Sequence, residues 1–274
     1  QGLVDTALTG FTADLGVINA YIADGSTAPN ATNYISAGIV VVGTANPITL
    51  TAAQLDAVNT ALNNDGTVSA AQTLAQLQAL IDTALTSFTD ALTTLNTYIT
   101  TGGSAPDANV YIAAGIVANG TNTLITLNSA QLALVNAALN DNALVSTVQT
   151  LGQIQGLVDT VMAAIAASDT AITAVSNAAA NSNASALTIP VLNSIMGLNG
   201  EVVANIEAYK AAIAAVINAT GLDELTEIQT LINTVNTEQA AIAAITVVST
   251  ATSGDTSTVT ADVLNAITGL TGVD

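Results

Sequence analysis

The 274-residue sequence predicts an all-α fold, an elongated, rod-like tandem array of small three- or four-helix bundles built on long helices. Three observations predict it. The chain repeats itself without a gap at a spacing of 77 residues. Apolar residues recur at three-four spacing over nearly four heptads. Half of the residues are apolar, yet only 3% are aromatic. A core of that kind is thin and aliphatic, with Ala allowing helices to approach closely. Over this chain length it suits a rod better than a sphere.

The repeat dictates the architecture. Residues 1–77 lie on residues 78–154 with about 40 of the 77 pairs identical. Leu3-Val4-Asp5-Thr6-Ala7-Leu8-Thr9 returns as Leu80-Ile81-Asp82-Thr83-Ala84-Leu85-Thr86, and Ala28-Pro29 returns as Ala105-Pro106. Tyr34-Ile35-Ser36-Ala37-Gly38-Ile39-Val40 returns as Tyr111-Ile112-Ala113-Ala114-Gly115-Ile116-Val117. A third copy opens at Gln155-Gly156-Leu157-Val158-Asp159, diverges, and resumes a related helix at Thr226-Glu227-Ile228-Gln229. The expected organisation is a helical repeat at 1–72, cut at its amino-terminal side, and a second at 73–149. A diverged helical module at 150–245, a linker at 246–258 and the start of a further module at 259–274 follow. Opening at Gln1 inside a helical pattern, the chain reads as a segment of something longer or a processed subunit.

Within one unit the elements follow in order. Residues 25–33 and 43–47 read as turns, with a short helix around 34–40 between them. A medium helix begins at Thr51-Ala52-Ala53-Gln54, mirrored at Asn128-Ser129-Ala130-Gln131, and runs to about Asn63 and Asn140. Ser69-Ala70-Ala71-Gln72 and Ser146-Thr147-Val148-Gln149 fit capping boxes ahead of the long helices. In the first of these, Leu74, Leu77, Ile81, Ala84, Phe88, Ala91, Leu95 and Tyr98 form the stripe. In the next, the same positions are Leu151, Ile154, Val158, Val161, Ile165, Ser168, Ile172 and Val175. Leu85, Leu92 and Ile99 widen the stripe to about 100°, which faces a core rather than one partner helix. Such a helix of about 30 residues spans roughly 45 Å, and so little sequence separates the units that neighbours abut or share helices. The diverged module reads as helices at 188–196, 201–219 and 223–245, a Ser/Thr/Gly linker at 249–257, and an opening helix at 261–270.

Composition excludes most chemistry. There is no His, Cys or Trp, and Lys210 is the single cation against 20 acids, for a net charge of −19. No imidazole or thiolate metal site, no Ser-His or Cys-His pair and no disulfide is available. A phosphate clamp or nucleic-acid track needs several cations. The expected site inventory is therefore empty: no catalytic residue, no cofactor and no metal. The expected partners are other copies of the chain or adjacent repeats of it, with no nucleic acid, membrane insertion or small-molecule substrate. The most apolar stretches, 161–167 and 211–217, fall short of the 18 to 20 residues a membrane span requires.

Four features invite a functional reading, and each has a plainer one. Residues 63–68, Asn-Asn-Asp-Gly-Thr-Val, resemble a calcium loop, but the first and twelfth positions of an EF-hand would fall on Ala61 and Gln72; a polar turn is the expectation. Thr83, Thr86 and Thr89 recur eleven residues on as Thr94, Thr97 and Thr100, the pattern of an ice-binding face, yet 17, 20 and 23 in the first unit are Val, Ala and Ala. A solvated face is expected there. Asp5, Asp82 and Asp159 share one repeated position, where a helix-surface or inter-unit hydrogen bond is expected. Glycosylation-type triplets start at Asn30, Asn119, Asn183 and Asn218, as an Asn- and Thr-rich composition produces.

The phrases Thr73-Leu74-Ala75-Gln76-Leu77-Gln78-Ala79-Leu80-Ile81-Asp82, Glu207-Ala208-Tyr209-Lys210-Ala211-Ala212-Ile213-Ala214-Ala215 and Val263-Leu264-Asn265-Ala266-Ile267-Thr268-Gly269-Leu270 resemble the helical tandem repeats of very long bacterial surface adhesins. The resemblance implies an exported, cell-surface protein whose repeats act as a stalk, with binding or anchoring domains elsewhere. The Asp-rich junctions of calcium-dependent stalks are missing from it. A chain with one Lys and no Arg also offers trypsin-like proteases little to cut. Its charge-poor Thr, Asn and Gln surface permits close contact between rods, which is the basis of a second expectation, a self-assembling filament, sheath or surface layer.

Overall fold

The computed structural model describes residues 2–25, 27–64, 72–121, 123–141, 147–216, 222–250 and 260–267. The chain is all-α: the described residues contain eleven α-helices, one 3-10 helix and no strand. In order these are α1 (Gly2–Asp24), α2 (Ala31–Ser36), α3 (Ala52–Asn64), α4 (Leu74–Thr101), α5 (Ala108–Ala113), α6 (Ser129–Leu139) and α7 (Leu151–Ala180). Then come α8 (Ile189–Asn193), the 3-10 helix Val203–Asn205, α9 (Ile206–Ala215), α10 (Leu225–Thr250) and α11 (Ala261–Asn265). The chain divides into two compact units, Gln1–Met162 and Ala163–Asp274, with the division inside α7.

In the first unit, helix starts follow side-chain chemistry. Thr51 and Gln54 cap α3 reciprocally, and Asn128 with Gln131 does the same for α6. The long helix starts later than expected. Its capping box is Thr73 with Gln76, and Thr150 with Gln153 repeats it ahead of α7. The Gln72 N–H, which a box at Ser69 would occupy, instead donates to Asn19 Oδ1 at 2.6 Å, so the backbone is still held outside the helix at that point. Ser69 and Ser146 themselves lie outside the described residues. The short helix α2 begins earlier than expected because Asn30 and Asn33 form a box of their own. It ends ahead of Gly38, and residues 39–48 fold back in a small loop with an isolated antiparallel bridge, Val40 to Pro47. The counterpart after α5 is Val117 to Leu124.

One buried cluster of this unit draws on four helices and the bridge loop. Ile18 and Ile22 come from α1, Tyr34 from α2, Ala37, Ile39 and Ile48 from the turn and loop, Val58 and Leu62 from α3, and Leu77, Ile81 and Ala84 from α4. All eleven have buried counterparts 77 residues on, from Leu95 and Ile99 through Tyr111 to Ile154, Val158 and Val161. The stripe on α4 is thus buried along its length, with Leu74 half-buried at its start. Each such Leu or Ile contributes about 1.5–3 kcal/mol on full burial, so the aliphatic core stabilises without aromatic bulk.

The second unit opens with a change of register. The first half of α7 follows the 77-residue step, with Ile154, Val158 and Val161 buried. Its second half follows it only in part: Ser168 and Val175 are buried as the stripe predicts, but so are Ala171, Ala178 and Ala179, and all five lie 80 residues beyond Phe88, Ala91, Leu95, Tyr98 and Ile99. Ile172, expected on the stripe, is half-buried and Ala171 takes its place. In this half the buried positions follow a step three residues longer than the repeat, within a helix that runs unbroken from Leu151 to Ala180. The chain-reversing position moves with it. Gly25 and Gly102 have φ of 64°, and Ser182, 80 residues after Gly102, adopts φ 48° without glycine's freedom.

Ala171, Val175, Leu192, Ile195, Tyr209, Ile213, Ile228, Ile232 and Val235 lead the second unit's core. Thr188 caps α8, whose Pro190 sits in the first turn. The helix expected from 201 starts later because the Val202 N–H is given to Tyr209 Oη at 2.9 Å, which keeps Val202 extended. Helix α10 continues five residues beyond the expected end at 245. The rest of the expected linker, to 258, lies outside the described residues.

Candidate functional site

Side-chain amides that grip backbone recur through the fold and are its most distinctive polar feature. A Gln or Asn side chain carries one acceptor and one donor, like a peptide unit, so it can pair with both backbone groups of a single residue. Gln78 of α4 does this to Val40 in the bridge loop. Its Oε1 accepts from the Val40 N–H and its Nε2 donates to the Val40 carbonyl, both at 2.9 Å. Gln155 of α7 grips Val117 at 3.0 and 2.9 Å. In the second unit Gln229 of α10 grips Asn199 at 2.9 and 2.8 Å. Each Gln is steadied by the residue one turn on: Asp82, Asp159 and Asn233 accept from Nε2 at 2.8, 2.8 and 2.9 Å. The repeated aspartate position therefore carries a hydrogen bond within the gripping helix. Asn233 makes the same bond as Asp82, so an uncharged acceptor oxygen fills this position in the second unit.

A second pair of amides works at the entry to the long helices. Asn19 holds Gln72 through both backbone groups, at 2.6 and 3.2 Å, and Asn96 holds Gln149 at 2.6 and 3.0 Å. A third arrangement is buried. The Tyr34 hydroxyl donates to Asn59 Oδ1, and Asn59 Nδ2 donates to the Pro29 carbonyl at 2.9 Å. Tyr111, Asn136 and Pro106 repeat it, with 2.6 Å from hydroxyl to amide and 2.9 Å from amide to carbonyl. In the second unit the same three groups are Tyr209, Asn236 and Gly200, although Asn236 stands on the long helix rather than a medium one. Burial first, and the neighbouring phenols Tyr21 and Tyr98 second, push the Tyr34 and Tyr111 hydroxyls well above the ordinary tyrosine value. Burial and then Asp56 raise Tyr21 as well.

The features flagged in the sequence do not converge. Asn63 belongs to α3, and residues 65–68 of the calcium-like stretch lie outside the described residues. Among the described residues no three acidic side chains come together. The hydroxyls of Thr83, Thr86, Thr89, Thr94 and Thr100 each donate to the carbonyl four residues back at 2.8 Å. Their protons are thus committed within the helix. Asn30 caps α2, Asn183 accepts from the Ser185 N–H, Asn119 is exposed and Asn218 lies outside the described residues. One open cleft of about 380 Å³ lies between the bridge loop and α4, lined by Val41, Val42, Ile48, Asp82, Leu85 and Asp90. It brings two carboxylates near an apolar wall, with no cation and no nucleophile–base pair among its lining residues. Against the expectation that no segment is long and apolar enough, α7 could cross a bilayer by length and composition; in the fold Ile154, Val158, Val161, Ala171 and Val175 of this helix are buried, and Gln155 and Asp159 are engaged in the grip.

No protein-family model, no curated protein and no solved structure matches this chain.

What this geometry offers is fixation. Amides lock loops onto helices, and a buried phenol–amide–carbonyl chain ties a short helix to a medium one. Reading for catalytic residue types missed these groups, because Gln and Asn belong to no catalytic set. The signal was nonetheless present. Gln1, Gln78 and Gln155 coincide in the repeat, as do Asn19 with Asn96 and Asn59 with Asn136, polar identities amid positions where apolar neighbours drift.

Proposed function

We propose that the chain is a non-enzymatic, extracellular structural spacer, a stalk segment of a repetitive bacterial cell-surface adhesin. In this reading small three- or four-helix bundles follow one another end to end as a rod, and adjacent repeats of the chain are each other's partners. One observation carries it: α4 gives Leu77, Ile81 and Ala84 to one buried cluster, while its far half buries Leu95 and Ile99 at the positions equivalent to Ile18 and Ile22. A helix used on both sides needs no flexible linker, which is what a spacer requires. Export is supported by the sequence resemblance, by the near-absence of trypsin sites and by the lack of Cys to mispair. The test is small-angle scattering of the isolated chain and of a variant with residues 78–154 duplicated. Both should be monomeric and elongated, the duplication adding length at constant cross-section. A compact particle in either case overturns the reading.

A second reading, a subunit of a self-assembling filament, sheath or surface layer, is favoured by exposed apolar side chains on a charge-poor surface. Leu8, Val42 and Val203 are 62%, 64% and 70% exposed. Purified chain should then polymerise at modest concentration in sedimentation, and persistent monomer rules this out.

A further inference from the structure

The sequence holds two Asn-Gly pairs, Asn119-Gly120 and Asn199-Gly200, both exposed in the fold and both with glycine at left-handed φ, 73° and 81°. Their surroundings differ. Asn199 is fastened at three points: Gln229 holds its N–H and its carbonyl, and its own Nδ2 donates to the Gly197 carbonyl at 2.7 Å. The Gly200 carbonyl is held in turn by Asn236 at 2.7 Å. Asn119 stands at the tip of the second bridge loop, in a turn closed by the Thr121 N–H on the Ala118 carbonyl at 3.0 Å and by the Thr121 hydroxyl on the same oxygen. The bonds of this loop run through Ala118, Thr121 and Thr123, on either side of the Asn-Gly pair. Apart from Gly120 and its chain neighbours, no atom of the described residues lies within 4 Å of where a Cβ on Gly120 would stand.

We infer that Asn119 is a site of spontaneous, self-catalysed modification, deamidation through a cyclic imide, and that Asn199 is protected from the same reaction by the Gln229 grip. The Gly120 backbone nitrogen attacks Asn119 Cγ and forms a new C–N bond. The Cγ–Nδ2 bond breaks, the Gly120 amide proton leaves with it, and ammonia departs. Solvent water then opens the five-membered ring at either carbonyl, giving aspartate or isoaspartate at position 119. No oxidant or reductant is involved. The pair exists in one repeat only, since Val42-Gly43 occupies the equivalent place in the first. The product puts a new negative charge on the loop tip. In the isoaspartate form it also inserts a methylene into a backbone whose Val117 is held by Gln155.

The experiment incubates the intact chain in warm, mildly alkaline buffer, with and without urea, and follows each Asn-Gly peptide by mass and by enzymatic isoaspartate methylation. In the folded chain Asn119 should gain a single dalton at least about tenfold faster than Asn199, equivalent to about 1.4 kcal/mol of restraint. In urea the two rates should converge. Gln229→Ala should raise the Asn199 rate towards that of Asn119 while circular dichroism stays helical. Should that variant not fold, the urea comparison decides alone. Equal rates in the folded chain, an inert Asn119 under conditions where the urea-treated chain converts, or the same disparity in urea as in buffer would each overturn the inference.

Discussion

A tyrosine hydroxyl fully inside an aliphatic core needs a partner, because an unsatisfied buried hydroxyl costs about 1–3 kcal/mol. Tyr34 and Tyr111 meet this need with an Asn that passes the bond on to a proline carbonyl. Asn59→Ala strands both the hydroxyl and the Pro29 carbonyl, and is expected to lower unfolding free energy by about 2–3 kcal/mol. Tyr34→Phe leaves only the Asn59 oxygen unserved and should cost about 1 kcal/mol. Both are measured by urea denaturation. The raised hydroxyl values add a pH dependence whose sign is fixed: the folded state holds its phenolic protons to higher pH than the unfolded chain does. Their stabilisation is complete below the ordinary tyrosine value of about 10 and is lost as pH climbs through the folded value. Denaturation midpoints should therefore stay level from neutral to mildly alkaline pH and fall above about pH 10. Replacing Tyr34 and Tyr111 together with Phe should flatten that fall. Tyr34 and Asn59 were both visible as repeated residues, but their pairing was not. Their separation of 25 positions follows no helical period, and only the fold brings them together.

Helices were the most legible level. The three-four stripe from Leu77 to Tyr98 in α4 is buried as its spacing requires, since apolar periodicity reports directly on which face meets a core. Helix ends were less legible, because several hydroxyl–Gln pairs compete for each start. Ser69/Gln72 and Thr73/Gln76 fit the same pattern, and the choice is made by Asn19 on another helix holding the Gln72 backbone. The grip of Gln78 on Val40 is what fastens a long helix to the loop before it. Gln78→Ala removes partners from a backbone donor and a backbone acceptor at once, and is expected to cost about 1–3 kcal/mol. Hydrogen exchange should show the Val40 amide losing protection more than amides inside α4. Asp82→Asn should be nearly neutral and Asp82→Ala should cost about 1 kcal/mol, because Asn233 already serves in the equivalent position. If Asp82→Asn were as damaging as Asp82→Ala, the charge would be the functional element and this account of the grip would fail.

At the scale of the molecule, charge opposes folding and almost nothing offsets it locally. The net charge is −19, and the ion pair among the described residues is Lys210 with an exposed Glu207 at 2.9 Å. Exposed pairs of this kind contribute less than about 1 kcal/mol, while added salt screens repulsion over a Debye length of about 10 Å at 0.1 M. Thermal midpoints should thus rise with sodium chloride, and Lys210→Ala should shift stability by less than about 0.5 kcal/mol. A fall with salt would mean that attractive pairs dominate. The all-α class was legible because periodicity and composition agree. The slip within α7 was not, because sequence identity fades where the diverged module begins and Ile172 looked as apolar as the Ala171 that replaced it. Where the face that a long helix buries can shift without a break in its backbone hydrogen bonding, the two halves of one helix can serve differently built cores.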